Sequence, residues 1–360
     1  MTHSERKCNS YITLFLSPGG LGEVILQTPF YRALKKKDPD SFIDVLVHTG
    51  NKPVLENNPC IHRIYTYSSG KSLITVLTRI LLTRKYEQCF VFDKSWKTNY
   101  LAMLFIRSRI HCGFKRNMWE SLSFQKTIAY TAGKHETGYY LDMIDSPADT
   151  DPGPEIFPMN SDYDKVNHLI PSPDKPLICL LPGGARNEAV GDEPFRRWPI
   201  ENYTALTERL LTTGFAVLLA GGETDRPTAE YLISHIPEEK RNCIVDLTGK
   251  LTFMQSCIAI GKACCIVCHD SGLMHMASCY GKNLICLFGV TSPVSLLPAV
   301  PGVSYLWADE DIYDRKVRIF GTRALDVNKR SIYFTRLKVD DVFQEILRKT
   351  QAFRTTPDQS

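Results

Sequence analysis

Four short loops carry the residue types that could do chemistry, and each follows an apolar run of strand length. The first is Ser17-Pro18-Gly19-Gly20-Leu21-Gly22-Glu23. Glycines let a backbone approach a ligand closely, and a helix opening behind them offers N–H groups to an anion. Glu23 reads either as a partner of the helix dipole or as a general base. The second is Pro182-Gly183-Gly184-Ala185-Arg186, which runs on to Arg196-Arg197-Trp198-Pro199. A guanidinium pairs bidentately with phosphate, so arginine beside Gly-Gly could clamp a diphosphate; a solvated basic loop is the plain alternative. The third is Gly221-Gly222-Glu223-Thr224-Asp225, where a carboxylate at a strand end accepts from a ribose hydroxyl or simply closes a turn. The fourth runs from His269 through Asp270, Ser271, Gly272 and His275 to Ala277. Ser271 and Gly272 suit an anion at a helix start, and His275 is either a ligand contact or a packed structural histidine.

Several chemistries are set aside. Gly-Gly-Leu-Gly lacks the third glycine of a dinucleotide fingerprint. Cys265-Ile266-Val267-Cys268-His269 spells a haem-attachment motif, but it does so inside an apolar strand, whereas that chemistry needs an exposed loop. No second Cys/His pair has the spacing of a zinc site, and none of the four loops contains Asp-x-Asp, so the chemistry is expected without a metal or other cofactor.

The elements that must hold these loops repeat one pattern twice. Strands are expected at Ile12–Leu16, Phe42–Val47 and Cys89–Phe92, with helices at Glu23–Lys37, Leu73–Leu82 and Asn99–Ile106. Lys35, Lys36 and Lys37 complement the C-terminal end of the first helix. Asp, Pro, Ser and Gly dominate residues 145–175, which reads as a linker. The pattern then restarts. Strands are expected at Leu177–Leu181, Ala216–Ala220, Cys243–Val245, Cys264–Cys268 and Leu284–Phe288. Helices are expected at Glu201–Thr212, Ala229–Ser234, Phe253–Lys262 and Leu273–Tyr280, and Val339–Leu347 has helical spacing. Such alternation means parallel sheets, an α/β architecture and two domains with a cleft between them; ligands then sit outside the carboxyl ends of the strands, where the four loops lie.

Bulk properties agree with two ordinary domains. The chain has 360 residues, more than one core usually serves. A net charge of +4 with 23 % charged residues is far from the bias of a nucleic-acid binder. No apolar run reaches the length of a membrane span, and Tyr11–Leu16 is too short for a secretory signal, so a cytoplasmic location and reduced thiols are expected for its 12 cysteines. Leu73–Leu82, with Lys71, Arg79, Arg84 and Lys85, reads first as a buried helix and second as a basic apolar helix at a bilayer surface.

Taken in order, GGLGEVILQTPFYRALKKKDPDSFIDVLV, LPGG, RRWPIENY, LLAGGETD, DLTGKLT and DSGLMHMASCYGKNLICLFGVTSP resemble glycosyltransferase family 9, the bacterial lipopolysaccharide heptosyltransferases, over residues 11–300. The resemblance implies a GT-B fold of two Rossmann-like domains with parallel sheets facing across a cleft. It divides the chain into residues 1–165 for the acceptor, 176–325 for the nucleotide-sugar donor and 326–360 as a helical segment closing the fold. It implies an ADP-heptose donor, a lipid A–Kdo or heptosylated core acceptor, and inversion at the anomeric carbon. The family's base after the first Gly-rich loop is usually Asp, and Glu23 stands there, behind Gly19, Gly20 and Gly22. Arg196 takes the place of a basic residue, often Lys, that meets the donor phosphates. Gly183 and Gly184 replace hydroxyl residues, leaving only backbone N–H groups, and Glu223 and Asp225 fall on the donor side. Asp270, Ser271, Gly272 and His275 keep the family's D-[ST]-G-x-x-H element, which receives the diphosphate. Two other readings remain open: a GT-B enzyme with a UDP- or GDP-hexose donor, and a nucleotide-sugar-binding protein without catalysis. The acceptor side brings an expected peripheral contact with the cytoplasmic face of the inner membrane.

Overall fold

The computed structural model describes residues 9–18, 20–115, 124–130, 133–146, 153–170, 175–187, 191–192, 196–280, 283–289, 291–308, 334 and 336–354. Gly19 lies outside them, as does the Arg186 side chain. The chain divides into two compact units, Met1–Phe157 and Pro158–Ser360.

The first unit contains β1 (Ser10–Phe15), α1 (Leu21–Lys37), β2 (Phe42–His48), α2 (Lys52–Leu55), β3 (Arg63–Tyr67), α3 (Gly70–Thr83), β4 (Tyr86–Val91), α4 (Trp96–Phe105), β5 (Ser108–Lys115), β6 (Lys126–Ala129) and α5 (Glu136–Asp142). The second contains α6 (Asn160–Leu169), β7 (Leu177–Leu181), the short pair β8 (Arg186–Asn187) and β9 (Gly191–Asp192), α7 (Ile200–Thr212), β10 (Ala216–Leu219), α8 (Arg226–Ser234), β11 (Ile244–Asp246), α9 (Phe253–Gly261), β12 (Cys265–His269), α10 (Gly272–Ser278), β13 (Leu284–Phe288), α11 (Pro293–Leu296), β14 (Val303–Trp307) and α12 (Val339–Arg354).

Each unit is built on a six-stranded sheet, in the orders β3-β2-β1-β4-β5-β6 and β11-β10-β7-β12-β13-β14. All their pairings are parallel. These are two copies of the same doubly wound arrangement, in which the first strand of each unit sits at the sheet's centre. The central strands β1, β7 and β12 are largely apolar and almost wholly buried, as strands covered on both faces must be. The loops leaving β1, β4, β7, β10 and β12 therefore lie at the ends of strands that cannot move without unpacking the core.

α1 is buried from Val24 to Tyr31. Phe30 meets Phe90 at 4.9 Å and Phe92 at 4.8 Å, and Phe92 meets Tyr140 at 4.8 Å, so an aromatic cluster seats the helix on the sheet. Pro29 inside this helix removes the N–H that would meet the Ile25 carbonyl; the Thr28 hydroxyl donates to that oxygen instead, at 2.8 Å. In the second unit Trp198 is buried, donates to the Leu337 carbonyl at 3.1 Å and stacks edge-on against Tyr203 at 5.0 Å. That anchor holds the Arg196-Arg197 segment against the fold.

Where the sequence reads as a linker, the structure places α6 inside the second unit, packed on α9. α12 likewise joins the second core, with Val342, Phe343 and Ile346 buried against the sheet. The sequence reading has no counterpart for β3, β5, β6 or β14. They are outer strands, half-buried and mixed in composition, so they lack the apolar run that betrays a central strand.

Candidate functional site

Two constellations form at strand ends, one in each unit. In the first, Gly20 has φ 73°, a left-handed conformation that costs glycine nothing. A Cβ there would also meet Glu23 Oε2 at 2.8 Å and the Phe15 ring at 3.1 Å. The turn therefore folds tightly enough to lay the Glu23 carboxylate back over it. The Glu23 side chain keeps 40 % of its exposure and lies 3.6 Å from the Lys94 ammonium. Crowding by protein atoms pushes its carboxyl above the usual range; Lys94 opposes this, and the Glu136 and Asp93 carboxylates add to it. Reachable from solvent and with its carboxyl raised, Glu23 has the properties of a proton acceptor.

Lys94 is held from the other side. It donates to both oxygens of buried Glu136, at 2.9 and 2.8 Å, and lies 4.7 Å from the centre of the Tyr130 ring. Tyr130 also donates to Glu136. Burial works against the Lys94 charge, but Glu136 and then Glu23 hold its ammonium well above the ordinary lysine range. Thr137 donates to the Leu26 carbonyl at 3.1 Å, which fastens α5, and with it Glu136, to the helix that carries Glu23. Asp93 accepts from the Leu16 N–H at 2.6 Å and the Ser17 hydroxyl at 3.2 Å, tying the first loop to the end of β4. Sequence reasoning passed over Asp93 and Lys94. They directly follow a central strand, so the rule that selected the other loops would have found them. Glu136 follows no such strand and left no comparable signal.

In the second unit Gly183 and Gly184 pass directly over Asp225. A Cβ at Gly183 would fall 2.2 Å from Asp225 Cγ, so only glycine fits. Asp225 is buried and accepts from the backbone N–H groups of Gly184 and Gly222, both at 2.9 Å. Of the two readings of Asp225, the structure shows the turn: it braces two loops, and the Gly184 N–H is already committed to it. Glu223 is the exposed carboxylate of the pair, and it meets Arg226 at 2.8 Å.

Gly184 (φ 85°) and Ala185 (φ 53°) are both left-handed. For alanine that costs roughly 1–2 kcal/mol, a strain that tends to collect at functional turns. Arg197 Nε fixes the turn by donating to the Gly184 carbonyl at 2.8 Å. Arg196 Nη2 donates to Asp270 Oδ2 at 2.8 Å. The Asp270 side chain keeps only 3 % of its exposure. Burial would raise its carboxyl, but Arg196, a Thr291 hydrogen bond and nearby His275 together hold it below the usual range. Arg196 is thus neither a solvated side chain nor committed to a ligand alone: it neutralises a buried carboxylate. Ser271, also buried, has a hydroxyl without a hydrogen-bond partner among the described residues. A Cβ on Gly184 would come within 2.9 Å of that hydroxyl. Gly272 opens α10, and His275 is buried one turn along. The structure therefore gathers Gly184, Arg196, Asp270, Ser271 and His275 at the ends of β7 and β12, with Gly183 and Asp225 beneath as supports.

His269, unassigned until now, sits wholly buried between this cluster and the core. Its Nδ1 lies 3.2 Å from the Tyr203 hydroxyl. Burial, and then the Arg197 charge, push its pKa down to about 3, so the ring stays neutral. Cys265 and Cys268 lie in the same strand at zero exposure, so the Cys-Ile-Val-Cys-His segment is a buried strand. Among the described residues no group of His, Cys, Asp or Glu could hold a metal ion, and no helix is long and apolar enough to cross a membrane.

Comparison with known proteins gives this geometry a context. The profile of glycosyltransferase family 9 (heptosyltransferase) matches residues 74–318, more than half of the chain. Lipooligosaccharide heptosyltransferase 2 of Haemophilus influenzae is 25 % identical over 304 residues, covering 78 % of this chain and 84 % of the relative. A glycosyltransferase family 9 structure from Veillonella parvula superposes with a TM-score of 0.78 at 18 % identity, covering 96 % of this chain and 98 % of its own. The structure of Escherichia coli ADP-heptose LPS heptosyltransferase II superposes with a TM-score of 0.75 at 19 % identity, covering 96 % and 100 %. With the two doubly wound sheets, these likenesses establish the GT-B fold.

Proposed function

This chain belongs to glycosyltransferase family 9 (heptosyltransferase) and is a glycosyltransferase, and from that premise we propose that it transfers a heptose from ADP-heptose to a lipopolysaccharide core acceptor, inverting the anomeric carbon. The observation that carries the donor half is the buried Ser271 hydroxyl, which has no partner among the described residues, set beside the Arg196–Asp270 pair and the strained Gly184–Ala185 turn. An unsatisfied buried hydroxyl costs about 1–3 kcal/mol, and a phosphate oxygen would remove that cost. As the bond from the anomeric carbon to the diphosphate breaks, negative charge builds on the leaving group. Arg196 answers it with a charge already ordered by Asp270, so little reorganisation is needed. Glu23 takes the proton of the acceptor hydroxyl as that oxygen bonds to the anomeric carbon, and ADP departs. The first unit then serves the acceptor and the second the donor. Neither step calls on a metal or other cofactor. The reaction then belongs on the cytoplasmic side of a membrane, where the enzyme meets a lipid-borne acceptor.

The test is turnover: purified protein, ADP-heptose and either lipid A–Kdo or its heptosylated form, with ADP release measured. Glu23→Gln is expected to lower kcat by about 10²–10⁴-fold at unchanged ADP affinity. Glu23→Asp is expected to retain part of the activity. Consumption of a UDP- or GDP-sugar in place of ADP-heptose would overturn the donor assignment, and binding without turnover would overturn the enzyme assignment.

A further inference from the structure

An exposed face of the first unit carries large apolar side chains that its own core does not use. On α4 the residues Trp96, Tyr100, Met103 and Leu104 recur at helical spacing, and all four point outward, with 58 %, 60 %, 45 % and 67 % exposure. Trp96 and Tyr100 pack edge to face at 5.6 Å, so the stripe is ordered. Beside it, α3 turns Leu77 and Ile80 into the core and leaves Ile74 and Leu82 exposed. The two helices pack together, and Arg107 at the end of α4 reaches the Leu81 carbonyl of α3. The α3 helix therefore has one buried face and one exposed face.

We propose that the outward face of α3 and α4 is the surface on which this protein docks to an anionic lipid bilayer. Charge decides among occupants. There is no Asp or Glu from Ser68 to Tyr86, nor from Lys94 to Lys115. Lys71 and Arg79 lie in α3, Lys97 in α4, and Arg84, Lys85 and Arg107 just past the ends of these helices. Glu87, just beyond the first stretch, is taken up by Arg109 at 2.9 Å. A second copy of the chain would bring the same cations against themselves, at the cost of like-charge repulsion. An anionic lipid surface is drawn to those cations, while Trp96 and Tyr100 suit the headgroup boundary and the aliphatic tips the acyl layer behind it. This deepens the proposed reading, in which the acceptor is a glycolipid, and rests on it for the choice of lipid; the binding measurement itself needs no turnover.

The experiment is co-sedimentation of the full chain with vesicles of phosphatidylcholine alone or mixed with phosphatidylglycerol, at low and high salt. Binding to the anionic vesicles is expected to exceed binding to neutral ones by about tenfold or more and to fall with salt. The pair Tyr100→Ser and Leu104→Ser, and separately Arg79→Glu with Lys97→Glu, are each expected to lower it about tenfold. Both double variants are expected to keep wild-type turnover on a soluble, deacylated acceptor, which separates loss of docking from loss of the enzyme. Equal binding to both vesicle types, or variants that bind like wild type, would overturn the proposal. So would a concentration-dependent dimer that these variants dissociate, because the face would then belong to a second copy.

Discussion

Replacing Arg196 by alanine strips the cation from a carboxylate with almost no access to water. Removing one partner of a fully buried pair costs ~3–5 kcal/mol, because the other charge is stranded. Arg196 itself keeps 21 % exposure, and Asp270 retains its Thr291 hydrogen bond, so a loss of about 2–3 kcal/mol is expected. At roughly 2–4 °C per kcal/mol for a unit of this size, the melting temperature should fall by about 4–12 °C. The loss should depend on pH in a defined direction. With Arg196 present the Asp270 carboxyl lies below its unfolded value, so the pair's stabilisation is full above the unfolded carboxyl pKa and fades as pH falls below it. Without Arg196, burial dominates and the carboxyl rises above the unfolded value. The variant then loses stability as pH rises through that raised pKa, so its deficit should be larger at neutral pH than in mild acid. Asp270→Asn on the Arg196→Ala background should restore much of the stability by removing the stranded charge. Urea unfolding of the wild type and both variants at neutral and mildly acid pH reads this directly. Calorimetric titration with ADP should show Arg196→Ala binding ten- to a hundredfold more weakly, the worth of about 1.5–3 kcal/mol for a hydrogen bond to a charged group. Wild-type stability in the alanine variant, or a deficit that ignores pH, would refute the neutralising role; unchanged ADP affinity would remove Arg196 from the donor site.

Four further outcomes follow from the geometry. Lys94→Gln removes the cation that opposes the raised Glu23 carboxyl, so the acid limb of the pH–kcat/KM profile should move to higher pH; an unmoved or downward limb would break the link between them. Gly183→Ala should destabilise by more than about 2 kcal/mol, since the new Cβ collides with Asp225 Cγ, whereas Ala185→Gly should be neutral or stabilising by up to about 1 kcal/mol; both are read by urea melts. His269 stays neutral when folded with a pKa near 3, while the unfolded chain takes up its proton near pH 6.5, so stability should fall as pH drops below that value, by about 2 kcal/mol at pH 5; His269→Gln should flatten this dependence, and parallel curves would show that the ring is not its source. A chelator should leave turnover largely intact, and abolition with rescue by magnesium or manganese would contradict the metal-free chemistry.

Much of the architecture was legible in the chain itself, because central parallel strands must be largely apolar. β7 and β13 occupy the residues the apolar runs indicate, and α1, α7 and α9 begin within two residues of their expected starts. The outer strands and α6 were not legible, since a half-covered element needs no continuous apolar run and a polar helix such as Asn160–Leu169 is specified by the α9 surface it packs on. The loops that gather Glu23, Arg196, Asp270 and Ser271 could be picked out from residue type and position after a strand. What those side chains do to one another could not. Whether Asp225 meets a ligand or two backbone N–H groups, and whether Arg196 is solvated or spent on Asp270, depends on a few ångströms between segments far apart in sequence. Lys94 and Glu136 lie 42 residues apart. Local pattern places a strand and the loop behind it, because burial and backbone pairing act along the strand. Which charge stands beside which is decided only when strands from separate stretches of chain line up in one sheet and bring their ends together.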